Sequence, residues 1–316
     1  QVRGEGTVFF RSTVEPWAWE LSGKGVPGTG TDPGWDPLAV ALREGHRYGL
    51  RVHAYLNMLP GWAQRQVAPA ASGQLFAVHR SWFMMDASGK RMDPRNLSGT
   101  TYAFLDPALP EVRDHLSRLV GEMVRNYPVD GVHLDYIRYP YDIGPYSSYN
   151  PDSLAAFSAE HGGTPAERPA QWNQWRRDQI TAVVRAVSQA ARTNRPGVEV
   201  TAAVIADRQK RIEQGFQDVD TWLRLKLVDA VTPMAYTGEP EQFTAFCRDF
   251  ELWRQRVWLG VWAKADRNPN LLRQVNDTVA LGFPGVAVFS YSELFTGGKV
   301  TERVVGLYNI FTGQGS

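Results

Sequence analysis

One cysteine in 316 residues excludes an internal disulfide and a thiolate metal cluster. Cys247 stands in QFTAFCRDF, among apolar residues, which is the setting of a core thiol rather than a nucleophile. Charge of one sign is also lacking. Thirty-four basic residues face 33 acidic ones, for a net charge of +1, and no Lys/Arg block gives a nucleic-acid footprint. The longest apolar runs are strand-length, so no transmembrane helix is expected. The opening QVRGEG is not a signal peptide. No GxGxxG turn follows any strand-like run and no HExxH is present. A dinucleotide fold therefore has no support, and no cofactor is expected.

What is plentiful is aromatic. Eleven Trp and twelve Tyr enlarge a core, and they also suit sites that face amphipathic ligands such as sugars. Apolar content of 43% and charge of 21% are ordinary for a globular chain.

Strand-like and helix-like stretches alternate along the chain. DPLAVALREGHRYG predicts a helix, with Asp36 as N-cap, Pro37 in the first turn and Gly49 past the end. DPALPEVRDHLSRLVGEMVRNY carries Val112, Leu116, Leu119, Val120 and Met123 at helical spacing. Asp152 or Ser153 is expected to cap the helix DSLAAFSAEHG. Six strands are expected to begin near residues 51, 131, 198, 230, 257 and 285, with a fragment at Gln1 as a seventh. Residues 14–35 and 60–105 read as long loops. Strand, helix, strand in repetition implies parallel strands with right-handed crossovers. The expected fold class is α/β, a TIM (β/α)8-type barrel forming one domain over residues 1–316.

GVHLDYIRYP, Gly131 to Pro140, is the pivotal strand. Alternation places His133 and Asp135 on one face and Val132, Leu134 and Tyr136 on the other. A carboxylate on a buried strand is costly unless it is paired, hydrogen-bonded or used. In RVHAYLNMLP the same alternation puts His53, Tyr55 and Asn57 together.

Barrels of this class gather function at the C-terminal strand ends. Those ends offer Arg3, His53, Asn57, His133, Asp135, Arg138, Asp207, Tyr236, Glu239, Trp262, Lys264, Tyr291 and Glu293. Acids and aromatics on one rim suit glycosidic cleavage. One carboxylate steadies an oxocarbenium-like transition state, and one carboxylic acid protonates the leaving oxygen. Asp135 is the candidate for the first role, kept ionised by Arg138 or His133. Glu293, Asp207 and Glu239 remain open for the second, each with the bland alternative of a surface or capping carboxylate. Arg3, His53, Asn57, His133, Arg138, Tyr236, Glu239, Trp262 and Tyr291 are candidate substrate contacts. A metal set of His53, His133 and Asp135 is the weaker alternative, because no compact ligand motif supports it. A non-catalytic glycan-binding barrel is the alternative from another class.

At these residues the chain resembles glycosyl-hydrolase-like family 10, the YngK-like and DigH-like bacterial proteins. The resemblance rests on the block from Gln1 to Met58, on YAFLDPALPEVRDHLSRLVGEMVRNYPVDGVHLDYIRYP, on FQDVDTWLRLKLVDAVTPMAY and on GVAVFSYSEL. It implies a TIM barrel, an extracytoplasmic bacterial setting and hydrolysis of a polysaccharide, including peptide-free peptidoglycan strands. By the same resemblance, the first strand and helix of the barrel are missing before Gln1. GVHLDYIRYP also looks like the DGxDxDxE strand of family 18 chitinases, but Ile137 falls at the catalytic Glu position. A substrate-assisted mechanism is therefore not supported. Oligomeric state is not legible.

Overall fold

A computed structural model describes residues 1–22, 30–63, 72–97 and 102–313. Parts of the two long loops expected at 14–35 and 60–105 lie outside these residues. The chain divides into two compact units. The first comprises Gln1–Ala202 and Ile212–Val228, and the second Ala203–Arg211 and Asp229–Ser316.

The first unit is built on parallel strands β1 (His53–Asn57), β2 (Gly131–Asp135) and the first four residues of β3 (Glu199–Ile205). His53 pairs with Gly131, Tyr55 with His133 and Asn57 with Asp135. Gly131 in turn pairs with Glu199, and His133 with Thr201. Each strand is followed by helical crossovers, which parallel pairing demands. Beside β1 runs the N-terminal segment, with Arg3 bridged in parallel to Leu56.

Register decides which residues share a face. Ala54, Leu56, Val132, Leu134, Val200 and Ala202 make one face, and all are fully buried. His53, Tyr55, Asn57, His133, Asp135 and Thr201 share the other. Helices Pro110–Asn126 and Pro169–Asn194 belong to this unit and pack against each other. Val112, Leu116, Leu119, Val120 and Met123 form the buried stripe of the first, as their spacing predicts. Truncating one such leucine to alanine removes about 2–5 kcal/mol.

The helix at Pro37–Arg47 starts on Asp36, whose side chain accepts from Ala39 N at 3.0 Å. The expected cap at Asp152 or Ser153 is wrong by two or three residues. The helix is Pro151–His161 with Asn150 at the cap position, because Pro151 takes the first helical place. Ser153 is used instead to donate to Asp106 at 2.8 Å.

The second unit carries the end of β3 and parallel strands β4 (Ala230–Met234), β5 (Leu259–Trp262) and β6 (Val286–Phe289). β4 pairs with β5 at Met234 and Gly260, and β5 with β6 from Leu259–Val286 to Trp262–Phe289. Helices Pro240–Asp249 and Leu271–Ala280 are the intervening crossovers. Cys247 is buried in the first of these, and burial pushes its thiol up to about 11. That is a core thiol, as its neighbours in the sequence suggest.

Candidate active site

Asp135 ends β2 on the polar face of the first unit. Its side chain is only 11% exposed. Tyr55 reaches diagonally from β1 and donates its hydroxyl proton to Asp135 Oδ2 at 2.6 Å. The backbone N–H of Tyr136 donates to Oδ1 at 2.6 Å, and Arg138 Nη1 donates to the same oxygen at 3.3 Å. Tyr136 sits at φ +48, a left-handed conformation uncommon for a bulky residue. Such strain, of order 1–3 kcal/mol, collects where surrounding structure fixes it. Here the turn brings the chain's own N–H back onto the carboxylate. The Arg138 guanidinium lies over the Tyr136 ring at 4.2 Å and the Tyr141 ring at 5.6 Å. Tyr102 meets Tyr136 edge-on at 5.3 Å, so aromatic faces border the carboxylate.

His133 stands one step further down the same face. Its Nδ1 pairs with Thr201 Oγ1 at 2.8 Å. Burial pushes the imidazole down to about 4, although the Asp135 charge opposes it. His133 is therefore neutral at neutral pH, and Arg138 is the cation beside Asp135. This corrects the expectation that either residue could serve.

Two further expectations change with the register. His53 begins β1, so it lies at the opposite strand end from Asn57, about 13 Å away at 3.3 Å per residue. It faces Glu199 at 3.5 Å, and its ring covers Gly131, where an added Cβ would come within 2.4 Å. Burial also lowers the His53 imidazole. His53 and Asp135 thus sit at opposite ends of adjacent strands and cannot ligate one ion, which removes the metal set of His53, His133 and Asp135.

Arg3 is the other correction. It is fully buried and paired with Leu56, away from the polar face. It grips Glu15 through two bonds of 2.8 Å and donates to the carbonyls of Asn57, Met58 and Pro60. His115 Nε2 joins Glu15 at 2.9 Å. Burial pushes the Glu15 carboxyl up, but Arg3 and His115 together outweigh it and hold it at about 2. Arg3 is a structural arginine with every useful donor engaged.

Asn57 ends β1, as its sequence position suggests, and the register sets it level with Asp135. Its Nδ2 donates to Gly4 O at 3.1 Å, and its Oδ1 is buried with no hydrogen-bond partner among the described residues.

The second unit carries the remaining candidates. Tyr236, Trp262 and Phe289 stand at or just past the C-terminal ends of β4, β5 and β6. Tyr236 and Phe289 are stacked at 5.6 Å with 22° between planes, and Trp262 lies 5.9 Å from Tyr236. Phe289 is 46% exposed, so the group presents an open aromatic face. Asp207 caps the helix Arg208–Glu213, accepting from Lys210 N at 2.9 Å. That is the capping role weighed for it by sequence. Glu239 is exposed at the cap position of Pro240–Asp249. Tyr291 and Glu293 are exposed on a single 3-10 turn, Tyr291–Leu294, with Tyr291 packed on Phe295 at 4.6 Å.

Tyr55, Tyr102 and Tyr136 are the site residues that sequence does not single out. Alternation puts Tyr136 on the apolar face, but the strand ends at Asp135 and the left-handed turn at Tyr136 sets its ring against Arg138 and Tyr102. Alternation does place Tyr55 with His53 and Asn57. Its contact with Asp135 depends on which strands are neighbours.

The family model described as "Glycosyl hydrolase-like 10" matches residues 1–261. The chain belongs to that family. It is 29% identical to Glycosyl hydrolase DigH of Escherichia coli (strain K12) over 260 residues, covering 75% of this chain and 53% of DigH. It is 25% identical to Glycosyl hydrolase YngK of Bacillus subtilis (strain 168) over 208 residues, 63% of this chain and 34% of YngK. The chain thus spans about half or less of the length of these relatives. Among solved structures, alpha-L-fucosidase isoenzyme 2 from Paenibacillus thiaminolyticus aligns with TM-score 0.62 and 15% identity, over 95% of this chain and 41% of that one. At that identity the likeness concerns fold alone, and it agrees with a partial (β/α) barrel. Among the described residues no helix is long and apolar enough to cross a membrane.

Proposed function

We propose that this family member is the barrel of a glycoside hydrolase that cleaves O-glycosidic bonds of a bacterial polysaccharide. Peptide-free peptidoglycan glycan strands are the first substrate to test, and the working location is outside the cytoplasm. The observation that carries the reading is Asp135. It is a nearly buried carboxylate at a C-terminal strand end, held by Tyr55, Tyr136 N and Arg138. Barrels put their chemistry at that end. A fixed carboxylate there is what an oxocarbenium-like transition state requires. Preorganised charge of this kind acts without reorganisation as the bond breaks. Family membership and the exposed aromatic faces of the second unit support the same reading.

Incubation of the protein with peptide-free peptidoglycan strands and with chitin oligosaccharides, followed by mass spectrometry, tests it. Shortened glycans are the expected product. Binding without cleavage would favour a non-catalytic glycan-binding barrel, and neither binding nor cleavage would remove the glycan reading.

A further inference from the structure

Several arginines of the first unit answer to a carboxylate. Arg3 holds Glu15, Arg138 holds Asp135, and Arg80 and Arg95 share Asp93. Arg113 donates instead to the backbone carbonyls of Pro107 and Ala108. Arg176 has neither kind of partner among the described residues. Its Nη1 donates to Ser147 Oγ at 3.1 Å and its Nη2 to Asn173 Oδ1, both neutral acceptors. Its Nε is buried with no hydrogen-bond partner among the described residues. A guanidinium carries five N–H donors, so these two bonds leave most of them unused. The titratable groups that bear on Arg176 are Tyr139, Tyr149 and Arg177, and none is a carboxylate. Asp106 reaches Tyr139 only through Ser148, and its oxygens are taken by Ser148, Ser153 and Ala108 N. Arg176 is half-buried, and a cation taken out of water is costly without a counter-charge.

The guanidinium is also held in place. It lies over the Phe216 ring at 3.9 Å, with the Trp172 ring at 5.5 Å and the Tyr139 ring at 5.8 Å. All three rings are buried. Phe216 sits at φ +55, a left-handed backbone uncommon for a bulky residue. Rings of this kind attract the cation and fix its plane. A fixed planar fork suits a planar carboxylate, which accepts two parallel N–H bonds.

The position is the end of the sheet that carries Asp135. Arg176 is in the second turn of the helix Pro169–Asn194, which runs back to the start of β3. Its first turns therefore lie toward the end where β2 stops. Tyr139 and Ser147 are in the loop that follows β2, and Phe216 belongs to the same unit. Tyr139 N donates to Gly215 O at 3.1 Å, and Gln217 Nε2 to Ile137 O at 3.2 Å, which fastens Phe216 to that loop. Tyr139 is four residues past Asp135, so their backbones are at most about 14 Å apart. A short stretch of bound polysaccharide spans that distance.

We propose that Arg176 binds a carboxylate on the bound glycan, the free lactyl group of a muramyl sugar. The assignment rests on the glycan reading of the Asp135 site and adds a reason for its substrate choice. In peptidoglycan the lactyl carboxyl is an amide while the peptide is attached. It becomes a free carboxylate once the peptide is removed. A fixed cation without a counter-charge selects the second form over the first.

Two substrates test this: peptide-free peptidoglycan strands, and the same strands with their lactyl carboxyls converted to methylamides. The wild-type protein is expected to show a KM roughly tenfold or more higher on the amidated strands. Arg176→Gln should raise KM on the unmodified strands by a similar factor, with kcat less affected, and bring the two substrates within about twofold of each other. An arginine that only ties the helix to the loop would weaken both substrates alike and leave their ratio intact. Equal KM values for the wild-type protein, or an undiminished preference in Arg176→Gln, would overturn the proposal. Should Arg176→Gln fail to fold, Arg176→Lys takes its place. It keeps the charge and loses the fork, so the preference should shrink, and a full preference would contradict the role. Failure of the wild-type protein to cleave either strand would count against the glycosidase reading instead. Titration calorimetry with the two strands then decides Arg176, with tighter binding of the unmodified strand supporting it and equal Kd values overturning it.

Discussion

The Tyr55 hydroxyl donates to Asp135 Oδ2 at 2.6 Å from the neighbouring strand. Together with the Tyr136 N–H and Arg138, it leaves the carboxylate little freedom to turn. Hydrogen bonds to charged groups contribute about 1.5–3 kcal/mol each. Tyr55→Phe keeps the ring and removes only the donor. Its kcat/KM is expected to fall roughly 10- to 100-fold, with most of the loss in kcat if the bond serves the transition state. Steady-state kinetics on cleavable glycan strands checks this, and an unchanged kcat would mean that Tyr55 only packs.

The Arg3–Glu15–His115 group makes a stability prediction. Both side chains of the Arg3–Glu15 pair are fully buried. Glu15→Gln leaves the guanidinium without its counter-charge and is expected to cost about 3–5 kcal/mol in urea unfolding. The carboxyl is held at about 2, below its usual range. Its contribution is therefore complete above the unfolded value near 4.5 and is lost as pH falls through about 2. The acid-unfolding midpoint should move up in Glu15→Gln.

Asp106 predicts the opposite slope. Burial pushes its carboxyl up to about 6, against the hydrogen bonds from Ser148, Ala108 N and Ser153. A raised carboxyl favours folding below its unfolded value near 4, and that advantage is lost as pH rises through about 6. The wild-type protein should lose roughly 3 kcal/mol of stability from this group between about pH 4 and pH 7. Asp106→Asn should flatten that slope, and chemical denaturation at several pH values measures it.

Much of this fold is legible in the residues. Strands expected near 51, 131, 198, 230, 257 and 285 begin at 53, 131, 199, 230, 259 and 286. Turn residues and hydrophobic runs are local signals, and the Asp36 cap is another. The site is less legible because strand ends and faces are not local. His53 and Asn57 share a face, yet lie at opposite ends of one strand. Arg3 looks like a rim cation until its pairing with Leu56 turns it away from the polar face. The charge of His133 depends on burial that no spacing reveals. Asp135 was visible because a carboxylate on an otherwise apolar strand is conspicuous by itself.

The most direct test of the account is Asp135→Asn, assayed on peptide-free peptidoglycan strands beside the wild-type protein, with circular dichroism and thermal unfolding as controls. Asparagine preserves the shape and removes the charge. Cleavage should fall below detection while the fold and the unfolding temperature stay close to wild type. Cleavage at the wild-type rate in a folded Asp135→Asn protein would contradict the central claim.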